Sequence, residues 1–185
     1  MVIKIVNQKI LFVSGLLIYL FIFVLPTILY LKLRDKVNPL EFLKLNQNIK
    51  SGILKGLSIS ILFLILLIIK KSVLYGFKSI NFNIGILWIS GLTVGIFEEI
   101  PFRGFLLQKL MKRMRFIKSN LITSILFTSI HIPIWLFSGT NIFNSINTLI
   151  IVSFILGYLF KESDSLWVPI ICHSVFNLSI WIGVG

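Results

Sequence analysis

Five apolar runs, each long enough to cross a bilayer, constrain this chain more than any other feature. A stretch of about 18 or more apolar residues can span the hydrocarbon core as a helix. Residues 10–31 form one such run, broken only by Pro26, and residues 52–69 another, with Lys55 near one end where it can snorkel. Residues 116–137, 142–160 and 165–184 follow. A sixth segment, residues 88–110, is apolar at both ends but contains Glu98, Glu99 and Arg103. Hydropathy alone ends it at Phe97. The apolar run resumes at residues 104–107 and stops at the basic stretch 109–115, so the segment reads as a span with charges inside it. The chain is therefore expected to be an all-α polytopic membrane protein of about six transmembrane helices with short connections.

Charge sets the layout. Hydrophobic residues make up 57% of the chain and charged residues 13%, against about 25% charged in a soluble domain. That composition excludes a soluble enzyme and a disordered tail, and the single cysteine, Cys172, excludes a disulfide-stapled domain. A net charge of +12 on a soluble protein would make nucleic acid the first partner to consider. Here the basic residues sit between spans, and no nucleic-acid partner is expected. Lys32, Arg34, Lys36, Lys44 and Lys50 lie between the first and second spans; Lys109, Lys112, Arg113, Arg115 and Lys118 lie between the third and fourth. Lys161 sits with two acids between the fifth and sixth. The opposite side has Lys4, Lys9, Lys70, Lys71 and Lys78, and its turn at residues 138–141 is uncharged. The positive-inside rule puts the first group of loops in the cytoplasm and both termini outside. The first run is longer than a signal-peptide core of about 7–15 residues and ends in Leu29-Tyr30-Leu31-Lys32 without a small-residue cleavage site, so it reads as an uncleaved span. Trp88, Trp135, Trp167 and Trp181 fall near span ends, where an aromatic belt places them.

An ionisable side chain near the bilayer centre costs at least about 2.5–3.5 kcal/mol on insertion scales, so each one requires a reason. Asp35, Glu41, Glu162 and Asp164 lie in loops and are expected to be solvated. Glu98 and Glu99 lie in the third span, and both histidines of the chain lie in spans: His131 in the fourth and His173 in the sixth. At 1.5 Å per residue from the cytoplasmic edges, Glu98 is about 21 Å deep, His131 about 20 Å and His173 about 14 Å. Three helices thus bring two carboxylates and two imidazoles to roughly one level. Glu99 and Arg103 are i and i+4, so they pair on one face. Glu98 lies about 100° around the helix without a local counter-ion, which makes it the candidate base. Pro101 removes a backbone donor within this turn. His173 and Asn177 project from one face of their helix, and both can donate to a developing negative oxygen. Phe127 shares the same spacing with His131 and is expected to pack beside it. A carboxylate facing an imidazole can hold and deprotonate water, and an imidazole with an amide opposite can stabilise an oxyanion. These are the parts needed to hydrolyse an amide. The HExxH pair of zinc proteases is absent.

The three stretches resemble the motif set of the CPBP family of intramembrane proteases. That family includes type II CAAX prenyl endopeptidases and bacterial bacteriocin-processing or immunity proteins, and is also called Abi. EExxxR stands here as Glu98-Glu99-Ile100-Pro101-Phe102-Arg103, FxxxH as Phe127-Thr128-Ser129-Ile130-His131, and HxxxN as His173-Ser174-Val175-Phe176-Asn177. The resemblance covers residues 88–177 and implies a four-helix catalytic core. Residues 81–185 would form that core, and residues 1–80 two N-terminal spans with basic loops. It also implies that Glu98 and His131 activate water, that His173 and Asn177 form the oxyanion site, and that Glu99, Arg103 and Phe127 support them.

Taken singly, each polar residue has a plainer reading. Glu98 could pair with Arg103, but two acids and one arginine leave one acid unexplained. His131, or His173 and Asn177, could be interhelical hydrogen-bonders. Cys172 points to another face than His173 and reads as an inert thiol. Ser129, Ser153, Ser174 and Ser179 lack the surroundings of a serine protease. Pro133 and Pro169 are expected to kink their helices near the site. The glutamate–water mechanism requires no cofactor; two histidines and two glutamates are also a donor set for zinc. The expected function is an intramembrane endopeptidase of a bacterial cell membrane, multi-pass, acting on a membrane-associated peptide or protein, in peptide or bacteriocin processing. The alternative is a non-catalytic membrane protein of bacteriocin immunity or interaction. Membrane lipid is the other expected partner.

Overall fold

The computed structural model describes residues 13–76 and 80–185. The start of the first apolar run at Ile10, and the lysines Lys4, Lys9 and Lys78, lie outside the described residues. The described residues form helices joined by short turns and loops, with no strand among them. Helix α1 is Val13–Arg34, α2 is Ile49–Tyr75, α4 is Phe116–Ser138, α5 is Ile142–Ser163 and α6 is Trp167–Trp181. Helix α3 is formed by Leu87–Glu99, Ile100–Leu107 and Gln108–Met111 running end to end. Four of the six, α1, α2, α4 and α5, are long and apolar enough to cross a membrane. Helix α3 has the length but carries the charges, and α6 is apolar but only 15 residues long. The chain is an all-α polytopic membrane protein.

Packing follows the logic of helices in lipid, where small side chains let backbones approach and large apolar ones face outward. Helix α2 buries Gly52, Gly56 and Ser60 and turns Leu54, Leu62, Leu66 and Ile69 out. Those glycines lie on α6 and the turn before it: a Cβ at Gly56 would meet the Ile171 side chain at 3.1 Å, and one at Gly52 would collide with Ser165 and lie 3.4 Å from Trp167. The other side of α6 takes α3 in the same way. A Cβ at Gly91 would meet Leu178 at 2.7 Å, and one at Gly95 would lie 2.8 Å from the Ile170 carbonyl and collide with Ser174. Two glycine pairs at i, i+4 spacing therefore hold α6 between α2 and α3. Helix α4 presents a polar face of Ser119, Asn120, Thr123, Ser124 and Thr128 inward. There, Asn120 fits over Gly157 of α5 and donates from Nδ2 to the Phe154 carbonyl at 2.8 Å.

The three basic connections meet at one end of the bundle. Lys44 pairs with Asp164 and Lys109 with Asp35. The Leu166 N–H donates to the Lys44 carbonyl at 3.2 Å, and Trp167 Nε1 donates to the Leu45 carbonyl at 2.8 Å. Asp35 and Asp164 thus remain in solvated loops, as expected, and are also ion-paired, because the loops that carry them fold against each other.

The prolines act unequally. At Pro101 the missing donor coincides with a change from α to π-helical turns over Ile100–Leu107, directly after the two glutamates. Pro133 follows a break at Ile130 and His131, and the helix restarts at Ile132. Pro169 does not kink α6: it lies in the first turn, where its missing N–H would have had no intrahelical acceptor.

Candidate active site

The helices bring together Glu98, Glu99, Arg103, Phe127, His131 and His173. Gly95, one turn before the glutamates, lets α3 approach α6 closely enough for both carboxylates to reach His173. Glu99, Arg103 and Phe127 are fully buried, and Glu98 and His173 are 3% exposed. Glu99 Oε1 accepts from Arg103 Nη1 at 2.8 Å, the i, i+4 pair that the spacing predicts. The same oxygen accepts from His173 Nδ1 at 2.7 Å, a contact across 74 residues that spacing along one helix cannot reveal. Arg103 Nη2 donates to the Ser153 hydroxyl at 2.7 Å and to the Ser153 carbonyl at 3.0 Å, so α5 holds the other half of the guanidinium. The Phe127 ring lies under that guanidinium, 4.5 Å from its carbon. It also packs against His131 at 4.9 Å, His173 at 5.6 Å and Phe102 at 5.0 Å between ring centres.

Glu98 is in a different position. Its Oε2 is 3.6 Å from His173 Nε2 and 3.8 Å from His131 Nε2, and no hydrogen bond satisfies it. These separations exceed a direct hydrogen bond. Tyr19, from α1, lies beside the Glu98 carboxylate. His131 Nδ1 lies 2.8 Å from the Phe127 carbonyl; a carbonyl only accepts, so this nitrogen carries the proton and Nε2 of the neutral ring is an acceptor turned toward Glu98. The His131 side chain is 22% exposed and forms the open edge of the cluster, with Trp135 packed on its far side at 5.9 Å. Asn177 lies one turn beyond His173 on α6, half-buried.

Four further contributors come from elsewhere in the sequence. Ser153 is one of many hydroxyl residues in apolar spans, and only the fold selects it. Tyr19 lies about 80 residues before Glu98. Trp135 read as a belt residue, and its i, i+4 relation to His131 was the available signal. The glycine pairs Gly91/Gly95 and Gly52/Gly56 were legible as close-packing spacings. Cys172 faces α2, where its Sγ lies 3.8 Å from the Gly56 carbonyl, away from the cluster. Among the described residues, no group of three or more His, Cys, Asp and Glu side chains is arranged to hold a metal ion.

A polytopic helical membrane protein with a buried Glu-Glu-Arg-His cluster at its centre is thereby defined. Residues 80–179 match the type II CAAX prenyl endopeptidase Rce1-like family, a protease family, and the chain belongs to it. The match bears out the resemblance carried by the three motifs. Helices α1 and α2 precede it. No curated protein and no solved structure matches the chain.

Proposed function

We propose that this protein is an intramembrane endopeptidase in which Glu98 is the general base, acting on a water held between it and His131. The observation that carries the reading is the division of labour between the adjacent carboxylates. Glu99 is committed to Arg103 and His173, whereas Glu98 turns an unsatisfied oxygen toward two imidazoles on two other helices. A polar separation beyond hydrogen-bond length raises the question of an intervening water. A water there donates one hydrogen bond to Glu98 and the other to the His131 Nε2 lone pair, which leaves its own lone pair free to attack a carbonyl carbon. Glu98 takes the proton of the attacking water and returns it to the departing amine as the tetrahedral intermediate collapses.

His173 and Asn177 supply the oxyanion site in this reading. Nδ1–H of His173 is spent on Glu99, so Nε2 donates only when both ring nitrogens carry protons. A protonated His173 also balances the cluster, with two carboxylates against one guanidinium and one imidazolium. The Asn177 carboxamide supplies the second donor from the same face of α6. A preorganised donor in a dry site is worth about 10²–10³ in rate. No step runs through a metal.

The core is residues 81–185, with residues 1–80 contributing two spans and, through Tyr19, one group at Glu98. The basic loops face the cytoplasm of a bacterial cell, and the substrate is a membrane-associated peptide or protein. An Ile-, Lys- and Asn-rich composition supports handling of a pheromone, bacteriocin or toxin peptide over maturation of prenylated proteins. The test compares the peptides that cells mature with wild type, with Glu98→Ala and without the protein. Peptides matured by wild type and missing in the other two support the reading; identical sets in all three contradict it.

A further inference from the structure

A groove of about 570 Å³ runs between α1 and α3 and is walled by two columns of side chains. On α1 the column is Ile22, Pro26 and Tyr30; on α3 it is Pro101, Phe105 and Lys109, with Arg113 just past the helix end at Met111. The i, i+4 spacing stacks each column along its helix, and Pro101 to Lys109 covers about 12 Å at 1.5 Å per residue. Both walls contain π-helical turns, Leu20–Val24 and Tyr30–Arg34 on α1 and Ile100–Leu107 on α3. Such turns are frequent at functional positions.

The chemistry changes from one end of the groove to the other. Its deep part is apolar, and the one hydroxyl there, on Thr27, donates to the Phe23 carbonyl at 2.8 Å. That part opens on the lipid-facing flank of the bundle, where Ile22 is 59% exposed and Phe21, Leu25 and Leu29 also point outward. The other end lies with the basic loops. Lys109 is paired with Asp35 there, and its ammonium lies 5.0 Å from the Tyr30 ring and 5.6 Å from those of Phe42 and Phe105. Arg113 has no ion pair or side-chain hydrogen bond among the described residues, and no acid lines the groove. Water satisfies an exposed guanidinium, but it does not fill an apolar trough open to the hydrocarbon; an acyl chain does.

We infer that the groove between α1 and α3 is a binding site for an anionic phospholipid, with the phosphate on Arg113 and one acyl chain lying in the trough toward Pro101. The guanidinium fork matches phosphate oxygens bidentately, and cations at the membrane surface draw anionic lipid. Tyr30 and Phe105, which meet edge to face at 5.3 Å, join the two walls between headgroup and tail. The inference goes beyond the proteolytic reading and does not depend on it. The deep end nevertheless adjoins the cluster: Pro101 lies one turn from Glu98, and Phe23 packs on Tyr19 at 5.7 Å between ring centres.

The test places the full chain in phosphatidylcholine vesicles. Two probes, phosphatidylglycerol and phosphatidylcholine carrying the same diazirine-labelled acyl chain, are photolysed in turn, and mass spectrometry locates the crosslinks. Phosphatidylglycerol is expected to label the groove at least about fivefold more than phosphatidylcholine, the equivalent of about 1 kcal/mol for one cation near the surface. The outward face of α2 around Ile65 should take both probes equally. Arg113→Lys should keep most of the preference and Arg113→Gln abolish it. Lys112→Gln should leave most of it, because that ammonium lies over Phe42 and does not line the groove. Equal labelling of the groove by the two lipids overturns the site, since the trough then takes any apolar chain, a substrate's included. Equal losses in Lys112→Gln and Arg113→Gln also overturn it, as the mark of diffuse surface attraction. So does displacement of the probe by inorganic phosphate alone, because the acyl chain would then contribute nothing. Arg113 is exposed, so its variants are expected to fold, which an unchanged unfolding temperature checks. Thr27→Trp, which fills the trough, should cut groove labelling by phosphatidylglycerol at least about fivefold and leave α2 labelling as it was; undiminished groove labelling contradicts the proposal.

Discussion

His173 Nδ1 and Arg103 Nη1 share one oxygen, Oε1 of Glu99, at 2.7 and 2.8 Å. That shared acceptor joins α6 to α3 at the one level where the bundle buries charge, and it fixes the ring orientation that turns His173 Nε2 toward Glu98. In the proposed mechanism the second glutamate of the pair is a positioning group, whose loss would be felt as stability and as geometry together.

Removing one partner of a buried ion pair leaves the other charge uncompensated, at a cost of about 3–5 kcal/mol. Arg103→Ala and Glu99→Ala are each expected to lower the detergent-solubilised unfolding temperature sharply. The double variant should fall short of the sum of the two. Ser153→Ala removes one of two acceptors from Arg103 Nη2 and leaves the backbone carbonyl, so its cost is expected to be smaller, about 1.5–3 kcal/mol. Thermal unfolding of the four variants orders them. A Ser153→Ala loss equal to that of Arg103→Ala contradicts the arrangement.

Gly95→Ala places a methyl group against Ser174 and the Ile170 carbonyl. Overpacking of this kind costs about 1–3 kcal/mol, and here it also pushes α3 away from α6. Both stability and activity should drop. Gly15→Ala, with open space around it, is the control and should change neither.

Phe127→Ala takes away a fully buried ring that touches Arg103, His131, His173 and Phe102, and is expected to cost about 3–5 kcal/mol. Phe127→Leu keeps most of the volume but loses the ring face under the guanidinium. It should retain more stability than Phe127→Ala. Equal losses in the two variants would show that volume plays no part at this position.

No step in the proposed chemistry passes through a metal, so cleavage should survive dialysis against a chelator, with metal content of the active protein far below one equivalent by elemental analysis. Loss of activity on chelation, restored by zinc, would overturn the metal-free mechanism.

Much of the site was legible because intramembrane charge is expensive and therefore sparse. Glu98, Glu99, Arg103, His131 and His173 stood out as the ionisable groups that loops could not explain, and i, i+4 spacing alone separated Glu99 from Glu98. Six helices followed from run lengths, with α6 shorter than its apolar run because the chain turns at Ile182 and Gly183. What stayed hidden involves contacts between distant segments: Ser153 with Arg103, Glu99 with His173, Tyr19 with Glu98. Nothing local marks a serine in an apolar helix as the acceptor for an arginine 50 residues earlier. The break at His131 was half visible in Pro133, whereas Pro169 misled because its position within the first turn depends on where α6 starts.

The most direct test of the account is cleavage of a peptide library by the purified protein in liposomes, read by mass spectrometry, for wild type, Glu98→Gln, Glu99→Gln and His131→Ala. The account predicts that Glu98→Gln and His131→Ala lose about 10²–10⁴-fold in kcat while remaining folded, as loss of general acid–base catalysis does. Glu99→Gln should lose stability as well as rate. Wild-type cleavage that persists undiminished in folded Glu98→Gln would contradict the assignment of Glu98 as the base.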